Sequence, residues 1–288
     1  MLAFNHCAID RTVVWISGGS SGLGLATAKA FRKAGYAVVS GARSFKECAD
    51  TDVGYTLPLD VTDDNSVSAF AQRALSLYGA PHILVLCAGI LVLGPFEEYT
   101  MDEVKRVMDT NYFGQVRMVQ AALPHMRKQG FGRIVLFSSI NGLLGIGFQG
   151  AYTASKHAIE GFGEALSMET RPFGIEVMCV EPGDHRSGSR KYRAKGGALR
   201  ETSPYYRAFS RVTGIIAHDE EHGSDPDRLG QRLVKMMQKK RLPLRVCIAS
   251  ADQRLAVWLH RLLPGRLFER ILAMYYKAWK TDSGNKKR

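Results

Sequence analysis

Thr12-Val13-Val14-Trp15-Ile16-Ser17-Gly18-Gly19-Ser20-Ser21-Gly22-Leu23-Gly24-Leu25-Ala26-Thr27-Ala28-Lys29-Ala30-Phe31 is the stretch from which the rest of the chain can be read. Residues 12–16 are a β-branched and aromatic run with the character of a buried strand, while residues 23–34 carry apolar side chains at helical spacing. Between them stand Gly18, Gly22 and Gly24. Glycine permits a tight turn and close backbone approach, and the helix start supplies unbonded N–H groups and a positive dipole end. A glycine-rich loop alone is often only a turn. A strand, this loop and a helix in immediate succession read as a βα unit that cradles a pyrophosphate.

Working outward, the same alternation recurs. Further strands are predicted at residues 37–40, 55–59, 83–87, 133–137, 176–180 and 245–249, and helices at 66–78, 101–128 and 151–171. Strands alternating with helices specify α/β architecture, here one doubly wound Rossmann-type sheet of about seven parallel strands with helices on both faces. Residues 44–52 are too few for a full crossover helix, so an abbreviated one is expected there. We divide the chain into a catalytic and dinucleotide-binding domain, 1–252, with a substrate loop at about 184–230, and a helical extension with a polar tail, 253–288. No internal repeat is visible.

Composition narrows the function classes. At 288 residues with 45% hydrophobic content the chain can bury one large core. Cys7, Cys48, Cys87, Cys179 and Cys247 show neither a C-x-x-C pair nor metal-type spacing to His, which suits a reducing compartment and excludes a zinc finger or disulfide framework. No metal is expected: His218 and His222, four apart, lie in what reads as a polar loop without a third ligand. Residues 1–11 show no secretory leader pattern, and no run of about 18 apolar residues predicts a spanning helix. The net charge of +12 is concentrated: residues 186–211 hold eight basic residues and one acidic, and residues 228–245 hold seven basic and none acidic. Such clusters suit an anionic cofactor, an acidic substrate, a membrane surface or nucleic acid, although a solvated basic face is the commoner meaning.

Further along, Tyr152 and Lys156 share one helix face at i, i+4 spacing. Free tyrosine titrates near 10, so a nearby ammonium is needed before its hydroxyl can exchange protons at neutral pH. Ser139 precedes Tyr152 by thirteen residues at the end of a predicted strand, with Ser138 as its alternative. Together with the G-x-x-x-G-x-G spacing of Gly18, Gly22 and Gly24, this Ser, Tyr and Lys set resembles the short-chain dehydrogenase/reductase family over about the first 250 residues. Asn111, mid-helix, matches that family's fourth catalytic position, where it holds a water linking Lys156 to solvent.

The resemblance implies that Ser139 and Tyr152 bind the substrate oxygen, Tyr152 exchanges its proton, and Lys156 tunes the tyrosine and holds the nicotinamide ribose. The loop Ser17, Gly18, Ser20, Ser21, Gly22, Leu23 and Gly24 would hold the pyrophosphate, with Ser17 replacing the usual Thr. Asp60 and the Val61 backbone would face the adenine, unless Asp60 simply caps the helix that begins near Asp63. Cys87, Ala88 and Gly89 stand where relatives have Asn-Ala-Gly, and Pro182, Gly183 and Ser187 match the segment that contacts the carboxamide. Arg43 stands just beyond the second strand where NAD-preferring relatives place an acid; a guanidinium there can grip a 2′-phosphate, so NADP (NADPH) is the expected cofactor unless Arg43 is a solvated loop residue.

For the substrate, Leu143, Leu144, Ile146 and Phe148 offer apolar walls near the reacting carbon, and His185 lies on the substrate side. Tyr192, Tyr205, Tyr206 and Phe209 punctuate the expected substrate loop. Residues 255–280 read as two basic amphipathic helices broken at Pro264-Gly265, an extension resembling the longer hydroxysteroid and retinol dehydrogenase-type members. Packing over the substrate mouth is the favoured fate of that extension, and an anionic membrane surface is the alternative. The expected activity is NADP-dependent hydride transfer between nicotinamide and a ketone or secondary alcohol, or an aldehyde or its alcohol, on a lipophilic, steroid- or retinoid-like substrate. A 3-oxoacyl thioester reductase and a non-catalytic NADP-binding sensor are the other readings. A homodimer or homotetramer, a cytoplasmic or membrane-surface location and no nucleic-acid partner complete the expectations.

Overall fold

The computed structural model describes residues 12–188, 194–195 and 201–279; readings placed on residues 1–11, on Tyr192 and on residues 283–288 lie outside them. β1 (Val13–Ser17) leads into α1 (Gly22–Lys33), followed by β2 (Ala37–Ala42), β3 (Ala49–Thr51), β4 (Gly54–Pro58), α2 (Asp64–Tyr78), β5 (Ile83–Leu86) and β6 (Val92–Leu93). Then come α3 (Met101–Met108), α4 (Gly114–Gln129), β7 (Gly132–Phe137), α5 (Gly150–Thr170), β8 (Ile175–Pro182) and β9 (Ala194–Lys195). The chain continues through α6 (Tyr206–Glu221), α7 (Pro226–Met236), β10 (Arg245–Ile248), α8 (Ala251–Leu262) and α9 (Gly265–Tyr275).

The main sheet runs β10-β8-β7-β5-β1-β2-β4-β3. The seven predicted strands are all present and mutually parallel, with Val14 beside Val38 of β2 on one side and Ile83 of β5 on the other. Alternate residues feed two cores: Trp15, Leu84, Leu136 and Val177 point to one face, Val14, Val85, Val135 and Met178 to the other. That double burial is why these strands read as continuous apolar runs.

Three expectations are corrected. Where an abbreviated helix was expected, residues 44–52 end in β3, antiparallel to β4. The hairpin closes because Gly54 takes φ +91° while the Thr51 hydroxyl accepts from Val53 N and donates to Gly54 O. Asp50 and Asp52 tie it to Arg32 and Lys29 of α1. Second, the single helix expected over 101–128 is broken: residues Asp109–Phe113 form one π-helical turn between α3 and α4, placed there by Asn111, whose side chain is bonded away from the helix. Third, residues 184–230 are not loop throughout. They include α6 and the start of α7, so the stretch around His218 is helical rather than a polar loop.

α7 crosses α1 closely: a Cβ on Gly230 would lie 2.6 Å from Ala26 O. Buried Arg133 of β7 donates to Met237 O and Lys239 O just beyond α7 and pairs with Glu176 of β8, joining that helix end to the sheet. α8 and α9 pack Val257 and Phe268 into a third cluster with Ile140, Leu144, Ile146, Val212 and Ile216. Among the described residues no helix is long and apolar enough to cross a membrane.

Candidate active site

Strand order reverses between β1 and β5, since β2 and β4 grow from one side of β1 while β5, β7, β8 and β10 lie on the other. The crevice beyond the carboxyl ends at such a reversal is where α/β sheets take ligands. A cavity of about 600 Å³ lies there, bordered by the loops after β1, β2, β4, β5, β7 and β8, by α5, by residues of α6 and by Tyr276 just past α9.

One arm of the cavity is built for an elongated anion. Gly18 (φ +77°) passes so close to the chain after β5 that a Cβ would sit 2.7 Å from Ala88 N, and one on Gly24 would sit 2.1 Å from Gly18 O. Ser20, Ser21, Gly22, Leu23 and Gly24 line the cavity at the start of α1. The first N–H groups of a helix have no intrahelical partner, and the Ser21 side chain does not cap them. Ser17 stands behind the loop, its buried hydroxyl 3.5 Å from Ala88 N. Arg43, Asp60, Val61, Cys87, Ala88 and Gly89 continue the lining, and Pro182, Gly183 and Ser187 close it from the loop after β8. Burial raises the Asp60 pKa, but two bonds from Thr62 and the fields of Arg43 and Arg117 leave it below its ordinary value. A cradle of glycines and helix N–H groups with a guanidinium at its far end fits a dinucleotide phosphate chain.

At the other arm Tyr152 and Lys156 project from α5. The Lys156 ammonium lies 5.4 Å from the Tyr152 ring centroid and donates to Phe137 O at 2.7 Å. Burial lowers its pKa to about 8. Ser139, just past β7, lines the same space; its hydroxyl accepts from Asn141 N at 3.2 Å and lies 3.5 Å from Pro182 O. Neighbouring Ser138 also lines the cavity, yet its hydroxyl bonds Lys156 O. Asn111 does not line it. Fully buried, Asn111 binds both the N–H and the C=O of Ile90 and donates to Ser155 Oγ, while a Cβ on Gly89 would fall 3.3 Å from its Oδ1 and 4.0 Å from Lys156 Nζ. Burial pushes the Cys87 thiol well above its ordinary value, which leaves it protonated and un-nucleophilic.

The expected substrate residues separate. His185 lines the cavity, with burial lowering its pKa and Nδ1 2.8 Å from Gly183 O. Leu144 and Phe148 are not among its lining residues. Leu144 is buried in the third core cluster, and Phe148 stacks edge-on against Phe209 at 5.5 Å, so both support the wall from behind. The lining includes residues that the sequence did not single out: Asn141, Gln149, Ile216, Glu220 and Tyr276. Asn141 donates to Gln149 Oε1 at 2.9 Å and so steadies the turn bearing Ser139. Glu220 lies within the expected substrate loop and Tyr276 within the extension expected to cover the substrate mouth, but local pattern singled out neither, because α6 and α9 reach the site only by tertiary packing. Among the described residues no group of three or more His, Cys, Asp or Glu could hold a metal ion.

Residues 12–196 match the sequence profile of the short chain dehydrogenases. The chain is 35% identical over 266 residues to a 3-ketodihydrosphingosine reductase of Bacteroides thetaiotaomicron, covering 92% of this chain and 97% of that one. It is 32% identical to the Drosophila melanogaster dehydrogenase/reductase SDR family protein 7-like, over 96% of this chain and 83% of the fly protein. Among solved structures, a short-chain dehydrogenase from Streptomyces avermitilis superposes with a TM-score of 0.76 at 31% identity, covering 92% of this chain and 97% of its own. An alcohol dehydrogenase from the archaeon Thermococcus sibiricus, complexed with 5-hydroxy-NADP, shares the fold at a TM-score of 0.67 and 22% identity, over 83% of this chain and 97% of that one.

Proposed function

The chain belongs to the short-chain dehydrogenase/reductase family of oxidoreductases, and from that premise we propose that it uses NADPH to reduce a ketone on a lipophilic substrate, with Tyr152 as the proton donor. The observation that carries the reading is convergence: Ser139, Tyr152 and Lys156 border one cavity whose far arm is a glycine and helix N-terminus cradle. NADPH bound in that cradle supplies the hydride. The Ser139 hydroxyl, freed from its weak 3.5 Å contact with Pro182 O, donates to the substrate oxygen and holds the carbonyl. Tyr152 donates its proton to the same oxygen as negative charge develops. Lys156, charged below its pKa of about 8, favours the tyrosinate left behind. Asn111 acts one layer deeper, holding Ile90 and Ser155 so that α5 and the loop after β5 keep their spacing.

NADP is preferred over NAD in this reading because Arg43, not a carboxylate, stands at the rim where the adenosine ribose would lie. The lipophilic substrate is supported by Ile146, Ile216 and the Tyr276 ring on the cavity wall, and by the likeness to a reductase named for 3-ketodihydrosphingosine. Steroid- or retinoid-like carbonyls share that chemistry, and 3-oxoacyl thioesters are the alternative class. The test is NADPH consumption by the purified protein against long-chain 3-ketones, ketosteroids, retinal, small ketones and 3-oxoacyl thioesters. The reading expects turnover with at least one apolar ketone and much slower turnover with NADH. Turnover of thioesters alone would replace the substrate class; tight NADPH binding without turnover of any carbonyl would mark a sensor.

A further inference from the structure

α8 and α9 carry apolar side chains on two sides, and the core uses only one. Val257 and Phe268 face inward, against Ile140, Leu144 and Ile146. On the outside, Leu255, Trp258 and Leu262 recur at i, i+3, i+7 along α8 with exposures of 53%, 56% and 59%. Leu267, Ile271 and Met274 recur at i, i+4, i+7 along α9, and all three are exposed. Helical spacing of this kind puts each trio on one stripe. Soluble surfaces carry single exposed apolar residues without consequence, but two such stripes on helices that touch each other call for a partner.

The flanks identify the partner. On the α8 wheel Arg254 and Arg261 border the outer stripe, and on α9 Arg266 and Arg270 do the same. Arg266 pairs with Glu269, and over residues 251–279 five Arg and Lys stand against two Asp and Glu. Trp258 and Trp279, both exposed, are the residue type that settles at a membrane–water boundary, where an apolar ring with one polar N–H is best solvated. We propose that the outer faces of α8 and α9 are a docking surface for an anionic lipid bilayer, with the apolar stripes in the interfacial zone and the arginines among headgroups. A second copy of this chain fits less well, because apposing two such faces brings arginine against arginine on molecules that each carry a net charge of +12.

The docked face would adjoin the cavity mouth. Gln253 of α8 accepts from Asp184 N and donates to the Asp184 carboxylate, on the loop that lines the cavity, and Tyr276 at the end of α9 is itself part of the lining. An apolar substrate dissolved in the bilayer would meet the site without crossing water. Docking stands independently of the proposed reaction and is measured without substrate.

The test is co-sedimentation of the full chain with vesicles of phosphatidylcholine alone and of phosphatidylcholine mixed with phosphatidylserine, alongside the double variant Leu262→Asp, Met274→Asp. Both positions are exposed and outside the cavity, so NADPH titration should report an unchanged fold. The expected result is binding to the anionic vesicles, loss of most of it when salt rises from about 0.1 to about 1 M, and binding at least about tenfold weaker in the variant. Absence of binding to anionic vesicles would overturn the proposal, as would equal binding by the variant. Sedimentation equilibrium gives the third overturning result: a parent oligomer that the variant dissociates would assign the face to a second copy.

Discussion

Tyr152 and Lys156 sit four residues apart and, in the proposed reaction, act through the tyrosine oxygen, so the sharpest expectation concerns that oxygen. Tyr152→Phe keeps the ring against Lys156 and removes only the hydroxyl; turnover should fall about 100-fold or more while NADPH affinity is unchanged. Activity within a few-fold of the parent would refute Tyr152 as donor. Arg43→Ala should weaken NADPH binding about 10- to 150-fold and NADH binding far less, since only NADPH carries a 2′-phosphate. Equal losses in a titration of both would make Arg43 structural. Elsewhere Glu181, almost fully buried, has its pKa raised by burial and the nearby Glu160 from 4.5 to about 7, with Arg245 only partly offsetting them. Because the folded-state pKa is the higher one, the fold loses stability as pH rises from about 4.5 to about 7 and loses no more above that. Glu181→Gln should therefore raise Tm at pH 8 by about 2–4 °C per kcal/mol recovered, with the gain shrinking toward pH 5. A lower Tm at pH 8 would show that the Arg245 contact outweighs burial. Ser139, Tyr152 and Lys156 were legible because their spacing is written along the chain. The Asn141–Gln149 bond was not, because it exists only once the turn between β7 and α5 has folded.

The elements carried clear signals wherever periodicity was strong, as in α1, α2 and the seven parallel strands. β3 escaped because its turn rests on a positive φ at Gly54 and a hydroxyl of Thr51, and neither resembles the usual hairpin dipeptides. α6 escaped because its C-terminal turn, ending in Asp219-Glu220-Glu221, is polar; yet Phe209, Val212 and Ile216, all buried, carry the i, i+3, i+7 pattern that could have revealed it. The π-helical turn was invisible for a different reason: helix propensity alone gives no cause to bulge, and the partner of Asn111 is a backbone twenty-one residues away. Phe268 is buried against the His260 ring and the apolar cluster behind the cavity. Phe268→Ala should cost about 3 kcal/mol of stability and, by loosening Tyr276, raise KM for bulky ketones more than for small ones with NADPH affinity unchanged. An equal rise for both sizes would remove α9 from the substrate site.

Over the whole molecule, the sheet determines what can meet. Only the reversal of strand order between β1 and β5 brings the glycine loop, the residues after β7 and the start of α5 around one crevice, although Gly18 and Tyr152 are far apart in sequence. The doubly wound sheet was readable from the βα alternation, and with it the general position of the site. What closes the crevice was readable only in outline: packing of residues 255–280 over the substrate mouth was the favoured expectation, but the arrival of Glu220 and Tyr276 in the lining depends on packing rather than pattern. Hydride delivery from NADPH to a carbonyl carbon held by Ser139 and Tyr152 is the central step of the proposed reaction. Its most direct test is a mass-spectrometric measurement of product formed from a long-chain 3-ketone and NADPH deuterated on the hydride-donating face of its nicotinamide ring. The expected product is an alcohol with deuterium on the former carbonyl carbon, formed by the parent and almost absent with Tyr152→Phe. NADPH binding without labelled alcohol from any apolar ketone, or equal label from the two proteins, would contradict it.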